Sequence, residues 1–238
     1  RNFYGVIRVR QAFVDGVATY RMVHGTTLHG LQAIDPAYAG QPTTYYTEKS
    51  GVGMAIETLP KRIQFQPVRV GIIGLGVGTL AAYGDLGDVF RFYELDPEVI
   101  RLAQDSPYFS YLKDSRATIQ IVAGDARLAQ GSQGYDLLVV DAFSGDSIPT
   151  HLLTREAFEV YLAHLAPQGI LAVHISNKHV DLEPVLARAQ QSLGLAGRFI
   201  GAAGSKPLGN FSLWVLLARE EQSLNNPVIN SAGVPLQG

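Results

Sequence analysis

The sequence predicts an α/β fold in which helices cover a mainly parallel β-sheet, preceded by a small antiparallel β-sheet. Three observations lead to this prediction. Short alternating apolar runs fill residues 3–32. Apolar, strand-like runs then alternate with helix-like segments, which is typical of a parallel sheet with right-handed crossovers. A glycine-rich turn directly follows the first of these later runs, at residues 68–74.

The first part of the chain is predicted to contain a β-hairpin. Asp15-Gly16 separates two alternating runs, and Asp-Gly in that position is typical of a two-residue hairpin turn. Pro36 and Pro42 mark the loop that follows. We therefore predict a separate β-sheet domain over residues 1–48.

The second part is predicted to hold the main sheet in a catalytic domain over residues 49–219. Two strands near its end, 198–201 and 211–217, are expected to form an edge hairpin. Residues 220–238 are polar, rich in Asn and Pro, and unpatterned, so they are expected to form a disordered tail. The other expected elements are helices at 50–59, 78–84, 97–104, 154–165 and 182–193, and strands at 68–74, 90–95, 118–122, 135–140 and 169–175.

Composition excludes several classes of function. The chain has 238 residues and a formal net charge of -2, so we expect no nucleic-acid partner. It has no cysteine, which excludes disulfides, thiolate nucleophiles and Cys-based metal sites. No apolar run reaches the roughly 20 residues that cross a bilayer. We expect a cytoplasmic domain that binds a small molecule and needs no metal. Because the chain starts without Met, we also expect it to be the excised part of a longer protein.

The turn Gly74-Leu-Gly76-Val-Gly78 predicts a nucleoside-binding site. Glycines let the backbone turn sharply and approach a ligand closely. Glu94 ends the next apolar run, twenty residues after Gly74, where a carboxylate can accept both hydroxyl protons of a ribose. The dinucleotide fingerprint would need its last glycine at Thr79, and the spacing instead resembles that of Rossmann-like transferases that bind S-adenosylmethionine. A purely structural turn is the alternative interpretation.

Further polar groups follow the next predicted strands. In an open α/β sheet, ligands bind beyond the carboxyl ends of the strands, so these groups are expected to converge. Asp125 suits the amine of adenine, and Ala126 leaves room for the ring. Asp141 follows an uninterrupted apolar run and is a candidate proton acceptor. Asp146 either binds a cationic substrate or caps a turn, and capping is also the alternative for an isolated Asp125.

These motifs resemble the spermidine synthase family of aminopropyltransferases. The resemblance covers residues 1 to about 219 and is strongest for the domains of this family that occur in bacteria, often fused to membrane segments. It implies transfer of an aminopropyl group from decarboxylated S-adenosylmethionine to a diamine such as putrescine, with release of methylthioadenosine. The matching features are the N-terminal sheet, the glycine turn, Glu94, Gly124-Asp125-Ala126, Asp141, Ile148-Pro149 and the segment 153–158.

The resemblance also implies roles for individual residues. Asp141 matches the catalytic aspartate that takes a proton from the attacking amine. Tyr46 and Glu48 match a Tyr-His-Glu segment that lines the amine pocket, to which Asp146 would also belong. Gln32 matches a glutamine at the aminopropyl end of the cofactor, although a role as a loop residue is equally consistent with its position. By analogy with the family, a homo-oligomer is expected.

Two departures from the family pattern leave the reaction open. Val77 stands where the family has an Asp that contacts the amine of the cofactor. The second Asp of the family's Asp-Ser-Ser-Asp-Pro segment is displaced by two residues, to Asp146. Two alternatives therefore remain: a methyltransferase that uses intact S-adenosylmethionine, and a non-catalytic nucleotide-binding sensor domain.

The histidines offer the main rival chemistry, because His151, His174 and His179 could be metal ligands. His174 lies within an apolar run and His179 in the loop after it, and their spacing matches no zinc motif. We therefore predict a structural role for His174.

Overall fold

The computed structural model describes residues 6–25, 27–128, 131–143, 148–177 and 180–238. Within these residues the strands form two sheets, one of three strands and one of seven. No helix in the described ranges is long and apolar enough to cross a membrane.

The three-stranded sheet is antiparallel and contains β1 (Ile7–Val14), β2 (Val17–His24) and β3 (Thr27–Ala33). The predicted hairpin is confirmed, because Asp15 and Gly16 join β1 and β2 with φ angles of 48° and 84°. These left-handed values match the twist that a two-residue turn gives to flanking strands.

The remaining elements alternate as the sequence predicts. The strands are β4 (Arg69–Ile73), β5 (Val89–Glu94), β6 (Thr118–Ala123), β7 (Tyr135–Val140), β8 (Leu165–His174), β9 (Ala196–Ala202) and β10 (Ser212–Ala218). The α-helices are α1 (Pro36–Ala39), α2 (Gly51–Glu57), α3 (Pro60–Ile63), α4 (Pro97–Asp105), α5 (Tyr111–Asp114), α6 (Arg155–His164), α7 (Glu183–Leu193) and α8 (Pro227–Ala232). Short 3₁₀ helices occupy Thr79–Tyr83, Ala126–Leu128, Thr150–Leu152 and Glu221–Leu224.

The order of the large sheet is β6-β5-β4-β7-β8-β10-β9. The strands β4 to β8 are parallel, and β10 is antiparallel to both of its neighbours. The predicted α/β fold with a small antiparallel sheet in front is therefore confirmed. Chain order reverses between β4 and β7, and ligands bind at such a switch point in open α/β sheets.

The predicted edge hairpin is confirmed. β9 and β10 pair at one end of the large sheet, where β10 lies between β8 and β9, and β9 forms the edge. Burial explains the order, since the segment from Trp214 to Ala218 is fully buried and needs cover on both faces. β9 carries Arg198 and Gly201, which suit an edge.

The predicted helix over residues 78–84 is a short 3₁₀ helix instead. Gly78 precedes it with a left-handed φ of 80°, and the helix ends before Gly84. The predicted helix over residues 50–59 ends at Glu57, because Pro60 starts a separate helix, α3.

The predicted disorder of residues 220–238 is wrong. Leu224 and Ile229 are 0% and 1% exposed, and Val234 pairs with Phe199 on the edge strand β9. Asn226 caps α8 by accepting a hydrogen bond from the backbone N–H of Val228. The prediction rested on the polar composition of the segment, but a few apolar residues are enough to pack it against the edge of the sheet.

We expect Ile229→Ala to lower the free energy of unfolding by about 2–5 kcal/mol, because it removes a buried side chain from this packing. Val228→Ala is the matched control, since Val228 is 47% exposed on the same helix, and its effect should stay within roughly 0.5 kcal/mol. Denaturant unfolding of both variants measures the difference. Equal losses would contradict the packing of α8.

Candidate active site

The glycine turn after β4 is tightly enclosed. Gly74 and Gly76 have φ angles of 101° and 54°, in the left-handed region that favours glycine. A Cβ atom at Gly74 would lie 2.4 Å from the carbonyl oxygen of Asp141, and one at Gly76 would lie 2.4 Å from that of His29. The turn therefore lies between the loop that follows β7 and strand β3 of the N-terminal sheet.

Asp141 and Tyr46 meet at this turn, although 95 positions separate them. The Tyr46 hydroxyl donates to Oδ2 of Asp141 at 2.5 Å, and the Asp141 side chain is only 9% exposed. Burial, reinforced by the negative charge of Asp141, raises the pKa of Tyr46 well above its usual value. Tyr46 therefore remains a protonated donor. Tyr83 fixes its backbone by donating to the Tyr46 carbonyl oxygen at 2.5 Å.

His174 is a site residue that the sequence reasoning missed. Its Nδ1 lies 2.6 Å from Oδ1 of Asp141, and its Nε2 lies 2.8 Å from Oγ of Ser176. The ring is hydrogen-bonded, as expected for a structural histidine, but its partner is the predicted catalytic carboxylate. The pairing of β7 with β8 would have indicated this contact. Val140 pairs with Val173 on these parallel strands, so Asp141 and His174, the next residue of each, are neighbours.

Glu94 reaches the glycine turn as predicted. Its Oε2 accepts the backbone N–H of Leu75 at 3.1 Å, and its Oε1 accepts those of Leu95 and Asp96 at 2.8 and 2.9 Å. Burial raises the pKa of Glu94, and these backbone hydrogen bonds oppose the rise. The carboxylate therefore ties the end of β5 to the turn.

Asp125 is paired with a nearby arginine. The Arg127 side chain donates to both carboxylate oxygens, with Nε 3.1 Å from Oδ1 and 3.0 Å from Oδ2, and this pairing lowers the pKa of Asp125. Arg127 also donates to the carbonyl oxygen of His151. Any adenine amine at Asp125 would share the carboxylate with Arg127. Ala126 beside it is buried.

Two other predicted site residues, Gln32 and Glu48, are not brought to Asp141. Gln32 is buried, and its amide is engaged with the carbonyl oxygen of Ala39 and with the backbone N–H and hydroxyl of Ser110. These contacts tie β3 to the start of α5. Glu48 is exposed and does not line the cavity beside Tyr46. Asp146 lies outside the described residues.

A small cavity of about 10 Å³ lies between the glycine turn and Asp141. Val77 lines it and is only 1% exposed. Gly30 packs so closely on Val77 that a Cβ atom at Gly30 would lie 2.6 Å from Val77 Cγ2. Thr79 also lines the cavity, and its buried Oγ1 has no hydrogen-bond partner within the part of the chain that the structure describes. Burial, and secondarily the nearby His24, lowers the pKa of His29 in the same wall. The cavity wall thus offers an imidazole and a free hydroxyl beside the apolar Val77.

Metal binding is not indicated by the described side chains, which contain no cluster of three His, Asp or Glu residues suited to hold an ion.

Comparison with known proteins finds relatives of part of the chain. No family model matches the chain. A polyamine aminopropyltransferase from Vibrio vulnificus is 33% identical over 117 residues, which cover 46% of this chain and 38% of that protein. A probable polyamine aminopropyl transferase from Bifidobacterium longum is 30% identical over 115 residues, covering 44% of this chain and 23% of that protein. Over these stretches the chain is similar to polyamine aminopropyltransferases.

Solved structures show the same fold. A probable spermidine synthase from Corynebacterium glutamicum is 20% identical and superposes with a TM-score of 0.66, covering 100% of this chain and 88% of that one. A spermidine synthase from Thermotoga maritima has a TM-score of 0.56 at 14% identity, covering 92% and 75%. Human methyltransferase-like protein 13 has a TM-score of 0.53 at 16% identity, covering 75% and 84%, so the Rossmann-like core is common to methyltransferases. The matched stretches span less than half the length of the two curated members of the spermidine synthase family.

Proposed function

We propose that this chain transfers an aminopropyl group from decarboxylated S-adenosylmethionine to an amine such as putrescine. The observation that carries the proposal is the place of Asp141: at the end of central strand β7, against the glycine turn, with Tyr46 bonded to its carboxylate. A carboxylate there is well placed to take the proton of an amine that attacks a nucleoside-bound group at the turn.

The nucleoside would lie along the glycine turn. Glu94 would accept a ribose hydroxyl at Oε2, because that oxygen has two lone pairs and uses one on Leu75, whereas Oε1 already accepts two backbone N–H groups. Leu95, beside it, is 56% exposed and offers apolar surface to a purine ring. Asp125 and Ala126 would meet the adenine edge. The purine, the ribose and the sulfonium would then follow one another toward Asp141.

The chemistry needs little more than positioning. The lone pair of the amine attacks the methylene carbon by which the aminopropyl group is bonded to the sulfonium sulfur. The electrons of the carbon–sulfur bond move to sulfur, which leaves as the neutral thioether methylthioadenosine, and the amine gives one proton to Asp141. Because the sulfonium is already a good leaving group, holding the two reactants in line supplies most of the rate enhancement.

Aromatic rings near Asp141 support an amine substrate. Phe143 and Tyr45 lie with their ring centroids 4.9 and 5.2 Å from that of His174, and Tyr46 reaches the carboxylate itself. Aromatic faces attract ammonium groups, as a carboxylate does. A neutral acceptor would gain less from this environment.

A second candidate function is methyl transfer from intact S-adenosylmethionine. The observation that favours it is the buried Val77, which replaces a carboxylate and lies in one cavity with the Thr79 hydroxyl and His29. Neutral donors suit the carboxylate of an amino-acid tail, and a decarboxylated tail has no such group for them to bind. The two functions therefore differ in which cofactor binds.

Calorimetry with decarboxylated and with intact S-adenosylmethionine separates the two functions. We expect tighter binding of the decarboxylated form and, after putrescine is added, one methylthioadenosine for each aminopropyl group transferred. Chromatography with mass detection measures both products. Preference for the intact cofactor, with S-adenosylhomocysteine as the product, would replace the proposed function by methyl transfer.

A further inference from the structure

We propose that His174, supported by Ser176, is a positioning residue that holds Asp141 as an oriented, acceptor-only carboxylate. The inference deepens the proposed function and rests on it for the identity of the substrate. It requires that each hydrogen bond from Leu213 through Ser176 and His174 to Asp141 has one defined donor and one defined acceptor.

The direction of the hydrogen bonds follows from the donors at each end. The backbone N–H of Leu213 donates to Oγ of Ser176 at 2.9 Å. An ionised Asp141 needs a donor at Nδ1 of His174, 2.6 Å away, so a neutral imidazole carries its proton there. Nε2 is then an acceptor, and the Ser176 hydroxyl donates to it at 2.8 Å. The opposite tautomer would set a lone pair of Nδ1 against the carboxylate.

Packing prevents the imidazole from turning. It stacks on Trp214 with centroids 4.4 Å apart and planes 10° apart, and the edge of Phe143 closes another side. Trp214 is the register partner of His174 on β10, and its indole N–H donates to the Tyr45 carbonyl oxygen at 3.2 Å. The His174 side chain is only 3% exposed. The ring is therefore held by the sheet rather than by a loop.

The consequence for Asp141 is a fixed orientation. His174 occupies a lone pair of Oδ1, and Tyr46 occupies one of Oδ2. One lone pair on each oxygen remains for the substrate amine. A carboxylate with only the Tyr46 contact could rotate about its own bond, and small misplacements of a reacting group cost large factors in rate.

Two variants of His174 separate its two hydrogen bonds. An Asn amide nitrogen takes nearly the place of Nδ1, so His174→Asn should keep the donor to Asp141 and lose the contact with Ser176. A Gln amide oxygen reaches nearly to Nε2 and can accept from the Ser176 hydroxyl, so His174→Gln should keep the contact with Ser176 and lose the donor to Asp141. We expect kcat to fall roughly 10- to 100-fold in His174→Gln, the size typical of lost outer-shell support, with the KM for the cofactor unchanged. His174→Asn should retain most of kcat.

The thermal midpoints of both variants are measured alongside the rates. Equal losses of kcat in the two variants that follow their losses of stability would overturn the proposal, because a merely structural histidine would behave in that way. Nearly full kcat in His174→Gln would also overturn it.

Nitrogen-15 NMR of the histidine rings gives a readout that does not depend on turnover. We expect the His174 signal of the wild-type protein to show the Nδ1–H tautomer and to change in Asp141→Asn, and an Nε2–H tautomer would overturn the proposal. If the wild-type protein forms no aminopropyl product with any amine, the proposed function fails while the tautomer still decides the hydrogen-bond arrangement. The two failures are therefore distinguishable.

Discussion

Replacement of Asp141 by asparagine is expected to lower kcat about 10²- to 10⁴-fold, the usual contribution of a general base, with cofactor affinity nearly unchanged. An amide of the same size cannot accept the proton of the amine. The fold should tolerate the change, because the Asn oxygen can still accept from His174 Nδ1 while the Tyr46 hydroxyl becomes an acceptor for the amide N–H. Steady-state rates and calorimetric binding of the cofactor measure the two effects separately.

Asp136→Asn is the matched control for this prediction. Asp136 is a buried carboxylate at the opposite end of the same strand, where it pairs with Lys61 at 2.8 Å and accepts the backbone N–H of Arg69 at 2.9 Å. Its replacement should lower stability and leave kcat of the folded protein intact. Unchanged turnover in Asp141→Asn, or an equal loss of kcat in Asp136→Asn, would remove Asp141 from the catalytic role.

The features that the sequence predicted correctly are those set by local pattern. Alternating apolar runs define strands. The glycine turn and Asp141 each directly follow a strand whose apolar residues predict that it is buried. Parallel pairing then brings strand ends to one edge of the sheet, so their convergence needs no knowledge of side-chain packing. The meeting of Glu94 with the turn follows from the same rule.

The features that the sequence did not reveal depend on pairings between distant segments. The insertion of β10 beside β8 puts Trp214 on His174, and no local pattern in either strand specifies that neighbour. The contact of His174 with Asp141 requires the register of β7 against β8. Residues 220–238 are ordered because they pack on the edge strand β9, and this edge exists only in the assembled sheet. Each is a tertiary effect that overrides local composition.

Residues close together in the sequence also occupy different environments, which motif spacing does not predict. Tyr46 and Glu48 come from one short motif, yet the first reaches Asp141 and the second is exposed. Asp125 stands at the predicted strand end, but Arg127 two residues later engages both of its oxygens. Motif spacing therefore locates the site, whereas the assignment of each side chain within it depends on its packing.

Gly74→Ala is expected to damage both the stability of the protein and its turnover. The φ of 101° at Gly74 is strained for any residue with a side chain, which costs about 1–3 kcal/mol. In addition, the new methyl carbon would lie 2.4 Å from the Asp141 carbonyl oxygen, so the backbone at Asp141 must move. A displacement on the order of 1 Å at a reacting group can cost about 10²-fold in rate. We therefore expect kcat to fall by that order even in the folded fraction.

Gly40→Ala is the control for the loss of a glycine as such. Gly40 has an ordinary φ of -86°, and a Cβ atom there would meet nothing within 4 Å. Denaturant unfolding and steady-state rates should show little change in this variant and a joint loss in Gly74→Ala. If Gly74→Ala lost stability but kept kcat in its folded fraction, the glycine turn would be a structural element without a role in placing Asp141. A joint loss is what a turn shared by the cofactor and the catalytic carboxylate requires, since any movement that relieves the contact at Gly74 also moves Asp141.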